Sequence, residues 1–455
     1  MGQNKVKGYG KRGWLLIIWI ATAFLAYTVI GNYPLNVLSL AGDIYGGQQA
    51  LANIYTIASV LGVIIQLVLT GWIGKMKSVK KFGVIVGILA IIAMILMMVL
   101  PAYQGGGVLK AWMFFYGAGT LLSVMYGTFA LSILVGQWFP TRKGSVMGIA
   151  TFAFPIGNGL LAAVVPAMLG KFFGTGNPAD IALAGTFAPF LIIFIIGLVI
   201  GAILIPDYPE QAGAFRDNNP NLTPEVAKAM MEEEIENKKT TVWKLNHSLT
   251  TRDFWFLTLP AGFLLMFSVG VMTQTQAIFA ASGLTEKAGI IQLLIMIFGL
   301  LGSFLLGVLD EKLGTKKAML IACIIMVIAG ILGAASSPER STLVAVALLC
   351  LSVFMGASSN FTVSLAAQYW RREDFSTVFS AVNPIANFVV SLAPALIAMT
   401  MIMAGYTTIF VEVAIAGVVS VILVLLFSAK HVKAKDDKYR EKAGKPLDDA
   451  LVGRK

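Results

Sequence analysis

The chain has 455 residues, of which 57% are hydrophobic and only 13% are charged, and its mean hydropathy is +0.81. This balance excludes an ordinary water-soluble domain, in which about a quarter of the residues are charged. The formal net charge of +11 does not indicate a nucleic-acid partner, because the basic residues stand in short segments between apolar runs and in the tail, as membrane topology requires.

Apolar runs of about twenty residues recur along the chain, and each is long enough to cross a hydrocarbon core of roughly 30 Å as a helix. The runs are continuous rather than alternating, which excludes a closed β-barrel. In chain order, helices are predicted over 14–36, 49–73, 82–101, 110–137, 144–169, 183–205, 254–280, 288–309, 317–336, 342–366, 375–403 and 406–428. The first run is read as a retained helix because it is long and many further spans follow it. The predicted fold class is an all-α integral membrane protein with twelve transmembrane helices.

Basic residues mark alternate connections between the predicted spans. On one side stand Lys5, Lys7, Lys11, Arg12, Lys75, Lys77, Lys80, Lys81, Arg142, Lys143, Lys312, Lys316, Lys317, Arg371, Arg372 and the lysines from Lys430 onward. The intervening loops, such as 34–47, are nearly free of Lys and Arg. By the positive-inside rule the basic side is cytoplasmic, so we expect a multi-pass protein of the plasma membrane with both termini in the cytoplasm.

The predicted spans and the charges that flank them divide the chain into four regions. They are an N-terminal six-helix bundle (1–205), a cytoplasmic linker (206–253), a C-terminal six-helix bundle (254–428) and a basic cytoplasmic tail (429–455). The linker contains a helix start, with Thr223 as the N-cap and Pro224 at the first helical position. The mixed charges that follow are more typical of a solvated amphipathic helix than of a regulatory site, and we assign the linker no chemistry.

The two predicted bundles carry matching segments, which indicate an internal duplication and two pseudo-symmetric halves. Three pairs occur in the same order: 71–81 with 307–317, 137–139 with 368–370, and 155–158 with 384–387. Many transporters are built from two such repeats, with the substrate bound between them. The duplication therefore favours a carrier.

The loops after the second and eighth spans carry the clearest motif. The gating-loop residues are Gly71 and Lys75 in the first copy and Gly307, Asp310, Glu311, Gly314, Lys316 and Lys317 in the second. Glycine permits close helix approach and a tight reversal, and the acids can pair with basic groups. The pattern resembles the Gly-x-x-x-Asp-Arg/Lys-x-Gly-Arg/Lys-Arg/Lys loop of the major facilitator superfamily. That resemblance covers the whole chain and implies two six-helix bundles that work by alternating access.

Both copies depart from the family pattern. The second has Glu311 at the acidic position and Thr315 where a basic residue is usual, while the first has Lys75 in place of the acid. Within the superfamily the chain resembles the oxalate/formate antiporter group and its monocarboxylate-transporter relatives. The residues that carry this resemblance are Trp138-Phe139-x-x-Arg142-Lys143-Gly144 with Gly148, segment 206–213 and segment 251–255.

Polar residues inside the predicted spans are the candidates for substrate contact, because a polar group in a bilayer is costly unless it pairs or lines a wet cavity. The substrate-binding candidates are Tyr27, Asn32, Tyr126, Asn158, Gln274, Asn360, Asn383 and Asn387. Polar residues of the same kind are Asn36, Gln66, Gln276, Ser358 and Ser359. For each residue taken singly, helix-to-helix hydrogen bonding is the competing interpretation. Asn158 and Asn387 are favoured because they hold equivalent positions in the two halves.

The class of solute is predicted from the absence of basic residues in two of the spans. The family resemblance implies basic residues in the eighth and eleventh spans of an oxalate-type carrier, yet 288–309 and 375–403 contain no Lys or Arg. These spans therefore offer no positive charge to balance the two negative charges of a dianion. We therefore predict a secondary active transporter for a small organic solute, a monocarboxylate or related organic anion. The alternative is a neutral or bulky apolar solute, and a channel or a non-transporting receptor is less favoured.

Glu412 is the only acid well inside a predicted span, so it is the candidate for proton coupling, with structural pairing as the competing interpretation. The two histidines and two cysteines lack the arrangement of a metal or catalytic site, and no phosphate-binding Gly-x-x-x-x-Gly-Lys-Ser/Thr loop occurs. We therefore expect no enzyme activity, no metal and no cofactor. The expected partners are a small-molecule substrate, membrane lipid and a coupled proton or exchanged anion, and the protein is expected to be a monomer without a nucleic-acid partner.

Overall fold

The computed structural model describes residues 8–36, 44–73, 76, 78–140, 142–159, 183–239, 241–371, 374–445 and 447. These residues are almost entirely helical, and eleven of their helices are long and apolar enough to cross a membrane. The predicted span 144–169 is described only to residue 159, and its remainder lies outside the described residues. The prediction of an all-α, twelve-helix membrane protein is confirmed.

The spans lie close to their predicted positions. The first six are Gly10–Leu35, Gly47–Leu69, Val79–Val99 and Gly106–Trp138, then a fifth that begins with Lys143–Ala150, and Leu183–Leu204. The second six are Arg252–Met272, Thr285–Leu313, Thr315–Ala334, Pro338–Tyr369, the pair Phe375–Ser391 and Ala393–Ala404, and Tyr406–Leu426. Side chains on the outer faces are apolar and exposed, as Val99 at 63% and Ile203 at 73% show. Such faces suit contact with lipid.

The two halves meet along two seams. The second span packs on the eleventh, and the fifth packs on the eighth and tenth. Glycines bring the second seam together: a Cβ on Gly144 would lie 3.4 Å from Asp310 Oδ2, and a Cβ on Gly148 would lie 3.7 Å from Asn360 Nδ2. Small residues at these positions let helix backbones approach closely within the membrane.

Several spans are irregular near their middle. The first contains a π-helical segment, Thr28–Asn32, and the fourth contains another, Val124–Leu131. The fifth is interrupted by a turn at 151–152 and the tenth by a turn at 354–356. Such segments expose backbone groups and redirect side chains, and they often occur at functional sites. Each of the four contains, or lies within a few residues of, a residue that lines the candidate site described below.

The linker and the tail form helices outside the spans. The linker holds the helix Pro224–Lys239, here the linker helix, and a short helix Leu245–Leu249. Thr223 Oγ1 accepts a hydrogen bond from the Val226 amide at 3.4 Å, in the position predicted for the N-cap. The tail contains the helix Ala429–Lys442, here the tail helix, which packs against the second half of the chain.

Candidate functional site

A cavity of about 30 Å³ lies at the centre of the molecule, between the two halves. Its lining residues come from six spans: Tyr27, Asn32, Thr128, Phe154, Asn158, Leu265, Val269, Met355, Ser359, Asn387 and Val390. A neighbouring space of about 10 Å³ adds Tyr55, Ser59, Val124 and Ser391. One water molecule requires a cavity volume of roughly 10–15 Å³, so the main cavity has room for about two waters. An organic solute requires the halves to separate.

The lining combines polar and apolar side chains and contains no charged residue. Asn158 and Asn387, the pair related by the internal repeat, both face the cavity, one from each half. Asn32 Oδ1 and Asn387 Nδ2 are buried without a hydrogen-bond partner in the protein. Asn32 Oδ1 is a hydrogen-bond acceptor and Asn387 Nδ2 is a donor. Because unpaired buried polar atoms cost free energy, their position on a cavity indicates that water or solute satisfies them.

Two further contacts shape this cavity. Asn158 Nδ2 lies 3.3 Å from the Met355 sulfur, which is a weak acceptor that a better ligand group can replace. The hydroxyls of Tyr27 and Tyr55 are hydrogen-bonded to one another, and both residues line the neighbouring space. The irregular segments position these groups, since Asn32 lies in the first π-helical segment and Met355 in the turn of the tenth span. The site is therefore built where helix geometry is least regular.

The structure places the other four substrate-binding candidates away from the cavity lining. Tyr126 accepts a hydrogen bond from Trp19 Nε1 at 2.6 Å within the first half. Three candidates bridge the halves instead: Gln274 accepts from Gln48, Asn360 accepts from Thr151 at 3.4 Å, and Asn383 donates to Gln66 at 3.4 Å. These three contacts hold the two halves together in the present conformation.

Contacts between the halves lie at both ends of the cavity. We call the end that carries Arg142, Lys143 and Lys316 the basic end, and the other the opposite end. At the basic end, Phe375 from the second half packs so closely on Gly136 that a Cβ there would lie 2.6 Å from its ring. The Lys143 ammonium sits 3.2 Å from the centroid of the same ring. At the opposite end, Gln48 donates to Gln274.

The gating-loop residues are described mainly in the second copy. Asp310 is buried against Gly144, whereas Glu311 is exposed. Gly314 has a φ of +86°, a conformation that favours glycine. The backbone amide of Thr315 donates to Gln368 at 2.7 Å and that of Lys316 donates to Tyr369 at 3.2 Å, so this loop is fixed by the repeated segment 368–370.

The remaining gating-loop residues have varied positions. Gly307 lies in the eighth span, and the carbonyl oxygen of Gly144 is 4.0 Å from the Cβ position on Gly307. Lys316 Nζ donates to the Phe427 carbonyl at 2.8 Å, and Lys317 is exposed. Gly71 lies in the last turn of the helix Gly47–Ile73, and Lys75 lies outside the described residues.

Glu412 does not line the cavity. Its Oε1 accepts a hydrogen bond from Thr400 Oγ1 at 2.9 Å, between the eleventh and twelfth spans. Within the described part of the chain, no group of three or more His, Cys, Asp or Glu residues is placed to hold a metal ion.

Sequence reasoning missed several lining residues. Thr128, Met355, Leu265, Val269 and Val390 line the cavity, and none of them was proposed as a solute contact. Thr128 sits in the second π-helical segment, which has no local sequence signature. Ser359 is a lining residue whose polarity within an apolar run did provide a signal.

Comparison with known proteins gives one family and one fold. The family model described as Major Facilitator Superfamily matches residues 18–394 and 274–454. A comparison with curated protein sequences gives no match. Among solved structures, the chain is similar to the proton:xylose symporter XylE bound to 6-bromo-6-deoxy-D-glucose, with a TM-score of 0.70 and 12% identity, over 92% of this chain and 98% of that one. At this identity the likeness establishes the fold alone.

Proposed function

The chain belongs to the major facilitator superfamily, and from that premise we propose that it is a secondary active transporter that carries a small organic solute by alternating access. The observation that carries this proposal is the central cavity, to which both halves contribute an amide at equivalent positions, Asn158 and Asn387. Solute binding between two repeats is the arrangement that lets their relative movement expose one site to either side in turn.

For the solute we propose a monocarboxylate or a related organic anion. Amide N–H groups and hydroxyls can donate hydrogen bonds to a single carboxylate, and Asn32, Ser359 and Asn387 provide such groups in the lining. A dianion is disfavoured because none of the lining residues carries a positive charge to offset the cost of its burial.

A neutral solute is the second candidate. It is supported by one observation: the residues that line the cavity include no acid or base, only amides, hydroxyls, and aromatic and aliphatic side chains, with Met355 among them. An uncharged solute with both a donor and an acceptor would satisfy Asn32 Oδ1 and Asn387 Nδ2 together. A bulky apolar solute would leave both atoms unpaired.

The remaining parts of the proposal concern coupling and location. We propose a plasma-membrane monomer with both termini in the cytoplasm, so that the basic end faces the cytoplasm. The driving force is a coupled proton or an exchanged anion, with Glu412 as the candidate coupling residue.

Purified protein in proteoliposomes tests the function directly. A panel of monocarboxylates, sugars, aromatic acids and sterol-like acids is assayed for competition, for trans-stimulation of uptake and for a shift in melting temperature. We expect monocarboxylates to compete and internal solute to accelerate uptake. The absence of trans-stimulation by any internal solute would favour a channel or a non-transport role. If neither anions nor neutral solutes had an effect, the proposed solute class would be wrong.

A further inference from the structure

The tail helix is attached to the second half of the protein through buried charges. Asp436 accepts hydrogen bonds from Arg371 Nε at 2.9 Å and from Arg440 Nε at 3.0 Å. Arg440 also donates through Nη2 to Asp374 at 2.9 Å. We call these four residues the tail-helix charge cluster. Arg371 and Asp374 belong to the connection between the tenth and eleventh spans, so the cluster joins that connection to the tail helix.

The charged side chains that attach the tail helix are buried. All four side chains of the tail-helix charge cluster are at most 5% exposed. Burying a charge is costly unless its partners are well placed, and removing one partner of a buried ion pair is strongly destabilising. The cluster therefore depends strongly on the docked position of the helix.

Aromatic residues and the linker complete the attachment. Trp243 Nε1 donates to Asp436 at 2.9 Å, and its ring packs edge-on against Trp370 and Tyr439. His247 stacks on Tyr439 with ring centroids 4.0 Å apart. The linker, the connection between the tenth and eleventh spans, and the tail helix thus meet at one place.

The tail-helix charge cluster lies next to the contact between the two halves at the basic end. Phe375 directly follows Asp374 and begins the eleventh span. Its ring packs on Gly136 and beneath the Lys143 ammonium, both in the first half. When the basic end opens, this ring must leave the first half. The positions of Arg371 and Asp374 therefore affect whether the contact can form.

We propose that Asp436 and Arg440 are positioning residues for the transport cycle. The tail helix holds Arg371 and Asp374 so that Phe375 is presented to Gly136 and Lys143, which favours the conformation closed at the basic end. When Asp436 or Arg440 is replaced, Phe375 loses this support and the conformation open at the basic end becomes more populated. This role goes beyond the proposed transport function, because it assigns part of the conformational balance to a helix that contributes nothing to the cavity.

Distances between spin labels across the two ends test the proposal. In a background with Cys323→Ala and Cys350→Ala, one pair of labels is placed at Lys81 and Lys317, exposed at the basic end in the two halves. A second pair is placed at Gln104 and Glu339, exposed at the opposite end. The protein is examined in nanodiscs by pulsed electron resonance, which gives the populations of open and closed distances.

Arg440→Met is expected to raise the open-to-closed ratio at the basic end at least threefold, with a matching shift to shorter distances at the opposite end. Asp436→Asn should change the ratio in the same direction, and Arg440→Lys, which keeps the charge, should give a smaller change. Phe375→Ala should reproduce the shift without disturbing the tail. Lys438→Met removes a charge from an exposed position of the same helix and should leave both distance distributions unchanged.

The comparison with Phe375→Ala separates a positioning role from a structural one. If Phe375→Ala shifts the distances while Arg440→Met and Asp436→Asn lower only the melting temperature, the tail helix merely stabilises the fold and the proposal is wrong. It is also wrong if Lys438→Met shifts the distances as much as Arg440→Met does, because the effect would then follow tail charge rather than the tail-helix charge cluster.

Discussion

At the scale of single residues, the cavity is defined by polar atoms that the protein itself leaves unpaired. Asn32 Oδ1 and Asn387 Nδ2 are buried on opposite sides of the interface between the halves, and neither has a protein partner. A membrane protein tolerates such atoms where a wet cavity or a bound solute completes them. Asn158 is held almost as weakly, because the acceptor for its Nδ2 is the thioether sulfur of Met355.

Replacing Asn387 with alanine should therefore weaken solute binding more than it weakens the fold. Loss of one hydrogen bond to a charged carboxylate costs about 1.5–3 kcal/mol, so we expect KM for the transported solute to rise roughly tenfold or more. Asn53→Ala is the matched control, because this amide is exposed on the second span and accepts a hydrogen bond from Gln49 of the same helix. Equal KM values for the two variants would remove Asn387 from the solute site.

Glu412 poses a different question, because its carboxylate lies outside the cavity and pairs with Thr400. If it couples transport to protons, Glu412→Gln should abolish uptake driven by a pH gradient while solute exchange continues, since exchange needs no net proton movement. Uptake and exchange are measured in the same proteoliposomes. Unchanged driven uptake would show that the contact with Thr400 is structural.

At the scale of helices, the apolar runs were sufficient to predict the spans but not their irregularities. A continuous run of about twenty apolar residues has few alternatives to a membrane helix. The π-helical segments Thr28–Asn32 and Val124–Leu131 depend instead on packing between spans, which no local pattern records. For the same reason Asn158 and Asn387 were identified through the repeat, whereas the bridging positions of Asn360 and Asn383 were not distinguished from solute contacts.

Close helix packing also yields a prediction about stability. The ninth and twelfth spans approach so closely that a Cβ on Gly330 would lie 2.3 Å from the Ala414 backbone nitrogen. Gly330→Ala forces these backbones apart, and we expect a loss of about 1–3 kcal/mol in unfolding free energy. Gly289→Ala, in a helix with open space around the position, should be neutral or slightly stabilising. Denaturation in detergent measures both, and equal stability would show that the two spans can separate without cost.

At the scale of the whole molecule, the two halves are in contact at both ends of a cavity that holds about two waters. Among the described residues, Phe375 meets the first half at the basic end and Gln48 meets Gln274 at the opposite end. Alternating access requires each contact to break in turn while the other persists. The relative strength of all the contacts at the two ends then sets the resting conformation.

Gln48→Ala should therefore favour the conformation open at the opposite end. A neutral hydrogen bond contributes about 0.5–1.5 kcal/mol, so the ratio of open to closed molecules at that end should rise about two- to tenfold. Gln49→Ala is the control, because this neighbouring amide bonds to Asn53 on its own helix. The labels at Gln104 and Glu339 report the change, and those at Lys81 and Lys317 should show the basic end remaining closed. If both pairs of labels lengthened together, the halves would be separating rather than rocking, and alternating access about the central cavity would be contradicted.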